Sequence, residues 1–145
     1  VLKGGGYYTS ELGHTSIDYR GRRCACGNIG CLEEYAAIPK LLKDAPYTSW
    51  KQAVDANDTE ILQREADYLS AGIVTLTNLV SIDTVLLSGD LLYGTEKIAP
   101  LLEQRVNARS LHHADMPITV TASSRAAGIK ILAAADIAFE RALTV

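Results

Sequence analysis

ELGHTSIDYRGRRCACGNIGCLE, residues 11–33, gathers all three cysteines of the chain and one of its three histidines into a single glycine-rich stretch. His14 is followed by Cys24, Cys26 and Cys31, with nine, one and four residues between successive members. A divalent metal such as zinc takes four nitrogen or sulfur donors in a tetrahedron, and thiolates at i, i+2 and i+7 reach one centre when glycines let the chain turn sharply. Gly27 and Gly30 stand where those turns are needed. With His14 as the fourth donor the set is Cys3His, which leaves no open position for a reactive water, so the metal is expected to be structural. Ligand softness favours zinc over copper. The competing assignment is three free thiols beside an unrelated histidine.

Two carboxylates flank the donors, Glu11 three residues before His14 and Glu33 two after Cys31. Carboxylates and an imidazole on a rigid loop can hydrogen-bond the hydroxyls of a sugar ring. A histidine that binds metal through one ring nitrogen keeps the other for such a hydroxyl. Glu11, His14 and Glu33 are therefore candidate sugar contacts, against the alternative that the two acids are solvated surface groups.

Outward from the loop, 145 residues fit one domain, and 48% hydrophobic with 21% charged residues is ordinary for a globular fold. No run of about 18 apolar residues could cross a bilayer. A net charge of -3 opposes broad attraction to nucleic acid. An odd number of cysteines with no secretory signal suits a reducing cytoplasm, where thiols serve as ligands. The chain opens on Val1 and its sole methionine is Met116, so a piece of a longer protein is expected.

Gly4–Gly6 suggest a hairpin turn, since the Walker pattern needs a lysine after its glycines and Lys3 precedes them. Leu32, Tyr35, Ala36, Leu41 and Leu42 fit two short helical pieces interrupted at Pro39. Between Pro46 and Asp58 the pattern weakens, with Trp50 as a packing anchor. Thr59 is expected to cap the central helix, whose stripe runs Leu62, Ala66, Leu69, Ile73, Leu76, Val80. Val85–Leu87 reads as a short buried strand ending in a Ser88-Gly89-Asp90 turn. A helix from about Thr95 carries Ile98, Leu102 and Val106, with Pro100 in its first turn or kinking it. ITVTA, 118–122, reads as a strand, and an alanine-rich helix is expected over 125–143. Strands separated by helices give an α/β domain over 1–145. His112 and His113, with Asp115, fall in an expected turn without a function.

The ExGH and CxCGxxGCxE patterns of residues 11–33 resemble the zinc loop of the ROK family, which groups sugar-responsive repressors and sugar kinases. DTVLLSGD and the final Ala/Gly-rich helix resemble the second half of that family's C-terminal lobe. The resemblance implies an actin-like ATPase (ribonuclease H-like) α/β fold, present here in part, with the zinc-bearing loop. It implies His14, Cys24, Cys26 and Cys31 as zinc ligands and Glu11, His14 and Glu33 as sugar contacts. It places the family's catalytic Asp and first phosphate-binding loop upstream of residue 1. Kinase members carry a GGG-like turn at the nucleotide where this chain has Ser88, Gly89 and Asp90, and the Asp90 carboxylate would repel a polyphosphate unless a metal intervened. The loop's wording is nearer to the family's N-acetylglucosamine and xylose repressors than to its glucokinases. The expectation is a repressor's sugar-sensing domain in the cytoplasm, reaching DNA only through an N-terminal winged helix and forming a homodimer through its long apolar helices. The alternatives are the C-terminal lobe of a sugar kinase and a zinc-ribbon-like adaptor, the latter helped by Arg20, Arg22 and Arg23, a run otherwise expected to be a solvated loop.

Overall fold

The computed structural model describes residues 11–111 and 114–122. The Gly4–Gly6 turn, His112, His113 and the helix expected over 125–143 lie outside the described residues.

After a 3₁₀ turn at Leu12–His14 and the long loop, the chain forms α1 (Glu33–Ala36) and α2 (Ile38–Leu41). The two pieces were expected, but the break falls at Ala37, whose backbone is extended (φ -63, ψ 126), while Pro39 sits inside the first turn of α2. A proline there removes an N–H that has no helical acceptor anyway. Next comes α3 (Trp50–Asp55), capped by Ser49, whose hydroxyl accepts from the Gln52 N–H. Six residues are too few for a periodic stripe to show in sequence.

The central helix, α4 (Thr59–Val80), spans the expected range, but its cap is Asp58 rather than Thr59. The Asp58 carboxylate accepts from the Ile61 N–H at 3.1 Å, and a carboxylate at this end is also favoured by the helix dipole. Leu62, Ala66 and Ile73 are buried, whereas Val80 at the helix end is exposed. Ser81 closes α4 in the left-handed region (φ 49).

Strand β1 (Thr84–Leu87) pairs in parallel with β2 (Thr119–Ala122), Val85 opposite Val120. α5 (Thr95–Arg109) makes the crossover that parallel strands require. Pro100 lies inside α5, which continues to Arg109. Contrary to expectation β1 is not buried throughout: Leu87 is, but Leu86 is 54% exposed. Successive strand residues point to opposite faces, and α5 covers one of them.

Ile98, Leu102 and Val106 of α5, as expected, join Leu62, Ala66 and Ile73 of α4 and Ile118 and Val120 of the β2 segment in one core. Trp50 is 2% exposed in that core, and its indole N–H donates to the Tyr93 carbonyl at 2.8 Å, so it is the anchor its residue type suggested.

Candidate functional site

The loop that carries the cysteines is closed by its own backbone. Ile17 N–H donates to Gly30 O (2.8 Å), Leu32 N–H to Thr15 O (2.9 Å), Gly30 N–H to Arg22 O (2.7 Å) and Cys24 N–H to Asn28 O (2.9 Å). Gly27 (φ 93) and Gly30 (φ 73) take the left-handed turns that this path demands. At Gly30 a Cβ would stand 1.8 Å from the Asp18 carbonyl oxygen, so no side chain fits. Gly30→Ala is expected to lose about 1–3 kcal/mol from strained backbone and to open the loop; amide exchange at Ile17 and Leu32 no faster than in the parent would contradict this.

Tyr35 on α1 is a post around which the other end of the loop wraps. Its hydroxyl accepts from the Arg22 N–H at 2.9 Å, its ring lies 4.8 Å beneath the Arg22 guanidinium, and it packs on Tyr68 of α4 at 5.3 Å. The Arg22 guanidinium also donates to the Glu34 carbonyl at 2.6 Å. Arg22 is thus a tether rather than a purely solvated cation. The sequence carried one sign of it in Gly21, where a Cβ would meet the Tyr35 hydroxyl at 2.0 Å.

Within this frame one donor atom each from His14, Cys24, Cys26 and Cys31 lies within 4.8 Å of the others. Cys26 Sγ is 3.6 Å from Cys31 Sγ, and Cys24 Sγ is 3.7 Å from His14 Nδ1. Zinc–sulfur bonds of ~2.3 Å in a tetrahedron put sulfurs roughly 3.8 Å apart, so these separations are those of ligands around one ion. The residues therefore fit a divalent metal by donor type and by spacing. Since Nδ1 faces Cys24, Nε2 is the nitrogen left over.

Glu33 opens α1 beside the cluster, its Oε1 3.0 Å from Cys24 Sγ and 3.4 Å from His14 Nδ1. Both His14 and Glu33 side chains are more than a third exposed. Glu11 is exposed at the head of the 3₁₀ turn, its carbonyl accepting the His14 N–H at 3.0 Å. His14 and Glu33 are thus brought together, with Glu11 one short turn away.

The thiols have unequal surroundings. Hydrogen bonding to Glu33 pushes Cys24 up to about 12. Burial raises Cys31, and the Asn28 backbone draws Cys26 down. A bound cation would override all three, because a coordinating thiol is deprotonated outright.

A cleft of about 600 Å³ opens elsewhere, between Pro39, Trp50, Lys51, Gly89, Asp90 and Tyr93. The Ser88-Gly89-Asp90 turn lines it as a 3₁₀ segment, Gly89–Leu92, with Asp90 exposed. Lys51 is committed to Asp55 and to the Tyr93 hydroxyl, so it offers no free cation to offset Asp90.

The ROK family model matches residues 1–140. The chain belongs to the ROK family. Among curated proteins it is similar to the xylose repressor of Caldicellulosiruptor bescii, at 26% identity over 76% of this chain and 34% of that protein. It is also similar to the DNA-binding transcriptional dual regulator NagC of Escherichia coli K12, at 26% identity over 70% of this chain and 30% of that protein. The chain spans about a third of the length of these relatives. Among solved structures, a ROK hexokinase from Thermus thermophilus superposes with a TM-score of 0.75 at 25% identity, covering 92% of this chain and 48% of that one. A ROK transcriptional regulator, a homologue of the E. coli MLC protein, superposes with a TM-score of 0.65 at 26% identity, covering 77% and 34%. Family membership and the hexokinase likeness assign this ROK chain to the actin-like ATPase fold, a mixed helix and strand architecture. No helix among its described residues is long and apolar enough to cross a membrane.

Proposed function

We propose that this ROK segment, 1–145, is one α/β domain from the C-terminal part of a transcriptional repressor and senses a sugar. A structural zinc is held by His14, Cys24, Cys26 and Cys31, and the sugar is held beside it by Glu11, His14 and Glu33. The observation that carries this is the juxtaposition of a four-donor cluster with a half-exposed carboxylate: Glu33 Oε1 lies 3.4 Å from the same imidazole nitrogen that faces Cys24. When bound, the metal supplies charge and rigidity and no reaction.

The chain's own groups do the recognition. Glu33 accepts hydroxyl hydrogen bonds, and His14 Nε2, turned away from the cluster, reaches a neighbouring hydroxyl. In the whole protein a winged helix N-terminal to this segment contacts operator DNA. The sugar changes operator affinity only to the extent that it binds the two domain orientations unequally. A cytoplasmic homodimer is the expected assembly.

A second reading, the C-terminal lobe of an ATP-dependent hexose kinase, is supported by the hexokinase likeness over 92% of the chain. Against it stands Asp90, exposed on the turn that would face a nucleotide. The full-length protein distinguishes them. Monosaccharides screened by thermal shift, then tested for loss of operator binding in gel shifts, support the repressor; steady ATP turnover with a hexose supports the kinase.

Glu33→Ala is expected to weaken sugar binding roughly tenfold or more, the loss of a charged hydrogen bond, with zinc content unchanged. Calorimetry showing parental affinity would remove Glu33 from the sugar site.

A further inference from the structure

Within the cluster, Cys26 and Cys31 make a direct sulfur–sulfur contact. Cys26 is exposed and Cys31 buried, yet their sulfurs are 3.6 Å apart. Cys24 Sγ is instead held on Glu33 Oε1 at 3.0 Å. The pair sits across the tight turn of Gly27 and Gly30, which backbone bonds close from Cys24 N–H to Asn28 O and from Gly30 N–H to Arg22 O, and neither of these bonds passes through the Cys26 or Cys31 sulfur. Bringing the two sulfurs from 3.6 Å to the ~2.05 Å of a disulfide closes a gap of roughly 1.5 Å. The exposed member can meet a small oxidant first, and the buried member is already placed to resolve it.

We infer that Cys26 and Cys31 form an oxidant-sensitive latch on the sugar site, closed to a disulfide by hydroperoxides. The Cys26 thiolate attacks the distal peroxide oxygen: an S–O bond forms, the O–O bond breaks, and the departing oxygen takes a proton from solvent and leaves as alcohol, or as water when the oxidant is hydrogen peroxide. The Cys31 thiolate then attacks the Cys26 sulfur: the S–S bond forms, the S–O bond breaks, and the hydroxyl takes a second solvent proton and leaves as water. Two thiolates lose two electrons and the peroxide gains them. The cluster loses two of its four nitrogen and sulfur donors, and the cation is released. His14 then loses its fixed orientation, and sugar affinity falls while the backbone-closed loop persists.

The inference rests on the metal and sugar assignments proposed above, and the experiment separates their failures. Full-length protein is assayed for zinc before treatment, then exposed to a small excess of hydrogen peroxide. Released zinc is followed with a chromogenic chelator, intact mass is measured, and the alkylated protein is mapped by peptide. The expected result is loss of the bound zinc, a mass decrease of two hydrogens and a peptide linking Cys26 to Cys31, all reversed by thiol reductant with added zinc. The Cys24→Ser variant, metal-free, still forms the same link. Zinc present at the start and retained under peroxide overturns the latch and leaves the metal assignment standing. Sulfinic acid without a disulfide, or a disulfide to Cys24, also overturns it. Untreated protein without zinc overturns both.

Discussion

Cys26→Ser is expected to lose the bound zinc and to melt roughly 10 °C below the parent, from about 4 kcal/mol of lost ligand stabilisation at a thousandfold excess of metal over its dissociation constant. A serine hydroxyl stays protonated at neutral pH and is a poor partner for zinc, so three donors remain where a structural site uses four. Cys26 is the position to choose because it is exposed, whereas Cys31 is 0% exposed and its replacement would also disturb packing. The change in melting temperature then reports the metal. Chelator should lower the parent to the level of the variant and leave the variant where it is. Parent protein that melts identically with and without chelator, and carries no zinc by elemental analysis, would sink the assignment.

The loop was legible in sequence because its determinants are local and chemically rare. Three thiols within eight residues, with glycines between them, admit few other uses, and the structure brings all four expected donors together. Its bracing was not legible. Arg22, Asp18 and Tyr35 meet through the fold, Tyr35 being thirteen residues from Arg22, and a basic run looks the same in sequence whether solvated or tethered. α4 was legible because twenty-two residues give its period room to repeat, and α3 was not because six do not. The sequence puts the break between α1 and α2 at Pro39, where backbone rules permit a helix start as readily as a stop; the fold puts it at Ala37. The candidate sugar contacts divide in the same way. Glu33 is fixed by its position at the head of α1 against Cys24, whereas Glu11 stands exposed at the end of the described chain.

Glu65 is the residue that periodicity concealed most completely, and its replacement carries the other large expected effect. It lies on α4 one turn before Tyr68 and two before Gly72, on the face that meets Tyr35 and Leu32. It is 1% exposed, and its Oε2 has no hydrogen-bond partner among the described residues. The cations of the neighbouring elements are engaged elsewhere: Lys40 with Glu34, Arg105 with Asp67, Arg109 with the Ser70 hydroxyl. Burial pushes the Glu65 carboxyl up to about 8, from an ordinary value of 4.5, and no cation among the described residues pairs with it. Between those two values the folded chain keeps a proton that the unfolded chain has released. Stability is therefore full below about pH 4.5 and falls as pH rises, by about 1.4 kcal/mol per pH unit, until the folded carboxyl ionises near pH 8. The total is about 5 kcal/mol. Glu65→Gln keeps the shape of the protonated acid and cannot ionise, so it should match the parent near pH 4.5 and exceed it by about that amount at pH 8.5. Denaturant unfolding of both proteins across this range isolates the Glu65 contribution, because the titrations of exposed pairs such as Lys51 and Asp55 cancel in the difference. Parent and variant curves that run parallel from pH 5 to pH 8.5 would show that the carboxylate has a partner after all.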